Sequence, residues 1–145
     1  MELKVKLLSP NVSLPRYATA GAAAMDLTAC IDQPVTIEPR ALVSLPTGIA
    51  IALPSSDYVA LVFARSGLGV KHGICLSNGV GVIDSDYRGE IRVGLTNLSD
   101  TPYTIRPGDR VAQLAVMPVT QATVVQTEEL DETDRGAGGF GSTGK

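Results

Sequence analysis

The sequence predicts an all-β fold, a jelly-roll-like β-barrel or sandwich with one short helix, on three observations. Apolar and polar side chains alternate with period two at Leu3, Val5 and Leu7 around Lys4 and Lys6, and again at Ile91, Val93 and Leu95 around Arg92 and Gly94. Such a pattern turns one face of a strand inward. Glycine (15) and proline (9) exceed their usual combined share of about 12% among the 145 residues, so turns are frequent. No window is long and regular enough at the helical period to need a long helix.

The first strand in chain order is the Leu3 to Leu7 run. Short apolar runs follow at 42–45, 48–53, 58–64, 111–116 and 123–125, punctuated by Pro46, Pro54, Pro107 and Pro118 or by glycines. Each has strand length and a turn signal beside it, the pattern of a sandwich, jelly roll or barrel. The one expected helix runs from Ser66 to about His72, with Ser66 as its cap and Gly73 ending it in a left-handed conformation. Leu76 to Glu90 reads as a glycine-bearing β-hairpin followed by a turn, with Asp84 at the end of an apolar strand. Beyond Val125 the chain becomes acidic and then glycine-rich. Residues 1–127 are therefore expected to form the β domain and residues 128–145 a flexible arm, because that composition buries too little to offset its ordering entropy.

A single domain of this length buries roughly 68–70% of the surface its unfolded chain exposes. The 12 basic and 15 acidic residues give a net charge of −3. Five of the acids, Glu128, Glu129, Asp131, Glu132 and Asp134, sit in the final segment beside only Arg135 and Lys145. The body is thus balanced in charge and lacks the positive field that holds a nucleic-acid backbone. No apolar run approaches the roughly 18 residues of a membrane span, and the amino end has no signal-peptide core. The expectation is a soluble, cytoplasmic protein with no nucleic-acid or membrane partner. Cys30 and Cys75 lack zinc-site or redox spacing and read as buried free thiols. His72 is the only histidine, which excludes a multi-histidine metal site, and it reads as a hydrogen-bonded structural residue.

Two places suit anions, which backbone N–H groups hold at glycine-rich loops and helix starts: Arg65-Ser66-Gly67 and the carboxyl tail. Each has an ordinary alternative, a helix cap and a linker. The tail departs from a plain linker because Arg135, Phe140 and Ser142-Thr143 interrupt its glycines. Arginine can fork onto phosphate, phenylalanine can stack on a base, and glycine lets the backbone close over both. Asp84 could orient and deprotonate water, with Asp86 in support. Asp and Ser also populate turns for backbone reasons alone.

Taken in chain order, these residues resemble the trimeric deoxyuridine triphosphatase (dUTPase) family, whose five short motifs spread through nearly the whole chain. They correspond here to Ala22 through Ala29 around Asp26, Arg65-Ser66-Gly67-Leu68, Asn78 through Glu90, Arg106 through Leu114, and Arg135 through Gly144. The pattern departs at Ala24 and Ala64, where the family commonly has glycine and proline. The resemblance implies a jelly-roll homotrimer whose three shared active sites are each closed by a neighbour's arm. It further implies Mg²⁺-dependent hydrolysis of dUTP to dUMP and pyrophosphate, which limits uracil in DNA and supplies dUMP for thymidylate synthesis. On that correspondence Asp84 activates the water, and Tyr87 packs under deoxyribose and excludes a ribose hydroxyl. Asn78 and the backbone near Gly81 and Val82 read uracil. Arg65, Ser66, Gly67 and Gln113 hold phosphates with Arg135, Gly141, Ser142 and Thr143 of the arm, and Phe140 covers the base. Asp26 either contacts Mg²⁺ through water or braces the site, while substrate phosphates carry the ion.

Two other readings share the fold. One is dCTP deaminase, whose members use a glutamate for water activation and lack this arm. The other is a nucleotide sensor or assembly protein that binds without turnover.

Overall fold

The computed structural model describes residues 1–139. These contain β1 (Lys4–Leu7), β2 (Met25–Thr28), β3 (Val35–Ile37), β4 (Leu42–Pro46), β5 (Ile49–Ala52), β6 (Tyr58–Phe63), α1 (Ser66–His72), β7 (Ile74–Leu76), β8 (Gly81–Ile83), β9 (Arg92–Asn97), β10 (Tyr103–Ile105) and β11 (Arg110–Pro118). Antiparallel pairs nest inside one another: β2 with β11, β3 with β10, and β4 with β9. A chain doubled back on itself and then rolled produces this pairing, which is the jelly-roll solution to free sheet edges. The larger sheets run β2-β11-β6-β8 and β4-β9-β7, and the pairs β1-β5 and β3-β10 complete the roll.

Short strands suffice because the two larger sheets and the flanking pairs fill one aliphatic core. Leu27, Ile37, Leu45, Ile74, Leu95 and Leu114 are at most 2% exposed. Burying each such side chain contributes about 1.5–3 kcal/mol. Asn97, also fully buried, donates through Nδ2 to the carbonyls of Ile37 (2.9 Å) and Thr101 (2.8 Å), and its Oδ1 accepts from Ser99. It ties β9 to β3 and to the turn before β10.

Several expectations hold. Ile91, Val93 and Leu95 face inward, the runs at 48–53 and 58–64 contain β5 and β6, and those at 42–45 and 111–116 fall within β4 and β11. Gly73 ends α1 at φ 68°, where a side chain would meet the Ser99 backbone nitrogen at 2.9 Å. The helix cap differs: Arg65 holds the extended N-cap position and Ser66 begins the helix without a side-chain capping bond.

Other expectations are corrected. Leu7 is 42% exposed in this chain, because β1 lies on the outside of its pair with β5. Residues 123–125 form no strand, and Val124 and Val125 are exposed for want of a pairing neighbour in the single chain. The segment from Leu76 to Glu90 is not a hairpin: β7 pairs with β9 and β8 with β6, so the chain crosses between sheets there. His72 is exposed and packs against the Tyr103 ring at a centroid distance of 4.7 Å, with no hydrogen bond among the described residues. Cys30 and Cys75 are free thiols, as expected, but half-buried.

Candidate active site

The predicted residues gather in two places. The first is a cleft of about 280 Å³ beside β8, lined by Asn78, Gly81, Val82, Asp84 and Tyr87, with β9 along the opposite wall. β8 is an edge strand, so one side of its backbone faces the cleft rather than a neighbour. Gly81 lets it lie close to β6, since a Cβ there would sit 3.0 Å from Val62 Cβ. Asn78 stands over the same glycine, its Nδ2 3.8 Å from that position.

Asp84 follows directly on buried Ile83, which anchors the strand end and leaves the aspartate exposed. Its carbonyl accepts the Tyr87 N–H at 3.2 Å, closing a turn. Arg88 tightens that turn by donating to the carbonyls of Ser85 (2.7 Å) and Tyr87 (2.9 Å). Among the described residues nothing donates to the Asp84 carboxylate, so both oxygens are available to solvent or ligand. Asp86 lies in the turn, exposed and likewise unpaired.

Tyr87 folds back over Gly89, where a Cβ would fall 2.6 Å from its Cζ, and its hydroxyl donates to the Glu90 carbonyl at 3.0 Å. Tyr87 as a whole is still 46% exposed. One face is held by backbone and the other is free to receive a flat or apolar group. Glu90 was not singled out from the sequence. Its Oε1 accepts the Gly48 N–H at 2.8 Å and its Oε2 lies 3.5 Å from Arg92, which commits the carboxylate to structure.

The second place lies at the other corner of the four-stranded sheet. Asp26, Gln113 and Phe63 form one cross-strand row on β2, β11 and β6. Arg65 Nε donates to Asp26 Oδ1 at 3.1 Å, and Arg110 Nη1 to Oδ2 at 3.0 Å. Arg65 also reaches the Arg110 carbonyl, and Gln113 Nε2 donates to the Ala64 carbonyl at 2.9 Å. These bonds hold the entry to α1. The first helical hydrogen bonds use the N–H groups of Leu68 and Gly69, so those of exposed Ser66 and Gly67 precede them and point outward. Arg110 was not predicted; three residues before Gln113 it would face the other side of a regular strand, and only the irregularity in β11 brings it to Asp26.

The described residues include no group of three or more His, Cys, Asp or Glu fit to hold a metal. Asp26 has both oxygens engaged by guanidinium groups, which lowers its attraction for a dication. The donor set therefore fits a magnesium ion carried on a ligand's phosphates and offers no protein cage.

Within one chain Asp26 and Asp84 are far apart. From Asp26 to the β8 edge is three strand spacings, about 14 Å, and the row of Phe63 lies four residues, about 13 Å, along β6 from the level of Asp84. Arg135, expected with them, is exposed in the segment after β11, with Nε donating to the Gly138 carbonyl at 2.8 Å. Phe140, Gly141, Ser142 and Thr143 lie outside the described residues.

A jelly-roll subunit with an edge-strand cleft ending in a free carboxylate, and a separate helix entry rich in N–H donors and guanidinium groups, belongs to the class of nucleotide-handling β proteins. The model of the dUTPase family matches residues 10–144, and the chain belongs to that family. Among curated relatives, the deoxyuridine 5'-triphosphate nucleotidohydrolase of Idiomarina loihiensis is 51% identical over 99% of this chain and 98% of its own. That of Paraburkholderia phymatum is 50% identical over 100% and 99%. In structure, the Staphylococcus bacteriophage 80alpha dUTPase with dUpNHpp superposes with a TM-score of 0.89 at 28% identity, over 99% of both chains. A dUTPase variant from phage phi11 of S. aureus, described for the coordination of a structural Mg(II) ion, gives 0.81 at 25% identity over 91% of this chain and 100% of that one.

Proposed function

We propose that this protein hydrolyses dUTP to dUMP and pyrophosphate, with Asp84 as general base. The observation that carries the reading is the unpaired Asp84 carboxylate at the end of the edge-strand cleft, with the open Tyr87 ring beside it. Asp84 takes a proton from water as the water oxygen bonds to the α-phosphorus, and the bond to the β-phosphate oxygen breaks to release pyrophosphate. No covalent intermediate is required, so positioning and charge neutralisation supply most of the rate. A Mg²⁺ ion carried on the substrate phosphates would supply charge neutralisation there, with no ligand required from the described residues.

The nucleoside half of the ligand suits the cleft. The β8 backbone at Gly81 and Val82 offers the donors and acceptors of an unpaired edge to uracil, and Asn78 adds an amide. Tyr87, braced on Gly89, presents its ring to deoxyribose and leaves little room for a 2′-hydroxyl. The phosphate half suits the N–H groups of Ser66 and Gly67 with Arg65 and Gln113. Asp26 is a brace in this account, since its charge is spent on Arg65 and Arg110.

Asp26 and Asp84 lie roughly 20 Å apart along the sheet of one chain, and in a homotrimer copies would complete one another's sites by setting the phosphate residues of one beside the Asp84 of the next. The segment after β11, exposed along residues 119–137, is then the arm that carries Arg135, Phe140, Gly141, Ser142 and Thr143 to a neighbour. Ordering it only on binding suits a lid. A dCTP deaminase reading needs a free glutamate in the cleft, and Glu90 is occupied by Gly48 and Arg92. No helix among the described residues is long and apolar enough to cross a membrane.

The test is pyrophosphate release with Mg²⁺ from dUTP, dTTP, dCTP and UTP offered separately. Release from dUTP alone is expected. Ammonia from dCTP, or no release from any of them, would overturn the reading.

A further inference from the structure

The face of the β1–β5 pair carries a charge pattern that the catalytic reading leaves unused. Lys4 stands opposite Ala52 and Lys6 opposite Ala50, so both lysines and both alanines share one face. Arg88 joins them, and the three cations border a shallow groove of about 340 Å³ whose floor includes the small alanines. None of the three pairs with a carboxylate among the described residues; the ion pairs there belong to Arg40, Arg65, Arg92 and Arg110. Arg88 is bonded only to carbonyls of its own turn, which leaves its charge unbalanced.

The complementary charge lies on the same chain. Glu128, Glu129, Asp131, Glu132 and Asp134 are all exposed, and none forms an ion pair among the described residues. Nine residues separate the end of β11 from Glu128, and the ten Cα steps from Pro118 to Glu128 can span about 33 Å when extended, so the run can leave its own subunit. In the isolated chain neither the basic groove nor the acidic run finds its counterpart.

We propose that the acidic segment Glu128–Asp134 of a second copy docks on the Lys4, Lys6 and Arg88 face and acts as a latch for the arm. The proposal rests on the trimeric reading above and adds to it what brings the arm to its place. Arg88 follows Tyr87 directly, so the groove adjoins the turn of the Asp84 cleft, and a segment docked with its carboxyl end towards Arg88 would carry Arg135 to that rim. The lysines are exposed on an outer strand face, so changing them leaves the core untouched. Long-range attraction between a basic groove and an acidic run raises the local concentration of the arm and is screened by salt.

The experiment uses the full chain and compares dUTP cleavage at low and high ionic strength. In about 20 mM salt, Lys4→Glu with Lys6→Glu should lower kcat/KM about tenfold, and the deficit should shrink towards unity near 0.5 M. Adding Glu128→Lys and Glu129→Lys to the same chain should restore most of the low-salt rate. A separate variant with Lys4→Cys and Glu128→Cys, in a Cys30→Ala, Cys75→Ala background, should form a disulfide between chains. Unchanged kcat/KM on charge reversal, a deficit equal at both salts, a crosslink within one chain or no crosslink would each overturn the latch. A wild-type protein with no dUTP cleavage would instead overturn the catalytic reading, while the crosslink would still test docking alone.

Discussion

Arg110 reaches Asp26 at 3.0 Å because an irregularity in β11 returns the arginine to the face of the sheet that carries Gln113. Arg110 pairs with Thr28 and Ala112 with Leu27, which leaves Val111 as the extra residue of a bulge. Residues 110 and 113 are an odd number apart and would face opposite sides of a regular strand. The bulge also lets Val111 and Ala112 both turn inward, at 1% and 0% exposure. A local break in alternation thus serves the core and the clamp together.

Removing the clamp charge should cost binding more than folding. In Asp26→Asn, Arg65 and Arg110 lose their shared counter-charge, and the entry to α1 loosens. The partly exposed geometry limits the stability loss to about 1–2 kcal/mol. KM for dUTP should rise several-fold with a smaller change in kcat. An unchanged KM together with an unchanged denaturation midpoint would show that the clamp is idle.

Asp84→Asn keeps the size and the turn but removes the basic oxygen. Cleavage should fall by about 10²–10⁴-fold while equilibrium binding of dUpNHpp stays near that of the parent. Turnover at the parent rate would exclude Asp84 as the base.

Gly89→Ala tests how the sugar is sorted. The new methyl group would press on the Tyr87 ring, within 2.6 Å of Cζ, and tip it into the cleft. We expect a higher KM for dUTP and a smaller preference for dUTP over UTP, read from the two values of kcat/KM. A preference equal to that of the parent would detach Tyr87 from sugar selection.

Truncation before Arg135 should leave the β domain folded, because residues 117–137 are all exposed and contribute nothing to the core. The shortened protein should unfold at the parent denaturant midpoint and cleave dUTP at a small fraction of the parent rate. Full activity would make the segment a linker.

Asn97→Leu addresses the core. The substitution strips partners from the carbonyls of Ile37 and Thr101 and from Ser99, all at the buried junction of β3, β9 and β10. A loss of about 2–4 kcal/mol is expected in equilibrium unfolding. A loss below about 1 kcal/mol would mean that water replaces the amide.

Much of the strand set was legible because period-two patterning is a local property, readable wherever one face is buried. β6 and β9 follow it, β5 and β11 showed instead as short apolar runs, and Gly73 announces the end of α1 through a conformation that favours glycine. The short strands β2, β3 and β10 escaped, since three or four residues carry too little alternation to rise above turn composition. Asp84, Tyr87, Asn78 and Gly81 were picked out by motif, and the cleft unites them.

The sequence by itself determined the strand-rich class, the helix end, the balanced body with its acidic tail, and the motif residues from which the proposed catalytic role is drawn. Tertiary structure alone decided that β7 and β8 part to different sheets, that Leu7 and Val124 stay outside, and that Arg65 and Arg110 share Asp26. The physical reason is range. Alternation and turn chemistry act over a few neighbours, whereas strand partners, a bulge and an ion pair 84 residues apart in sequence are chosen by how the whole roll closes.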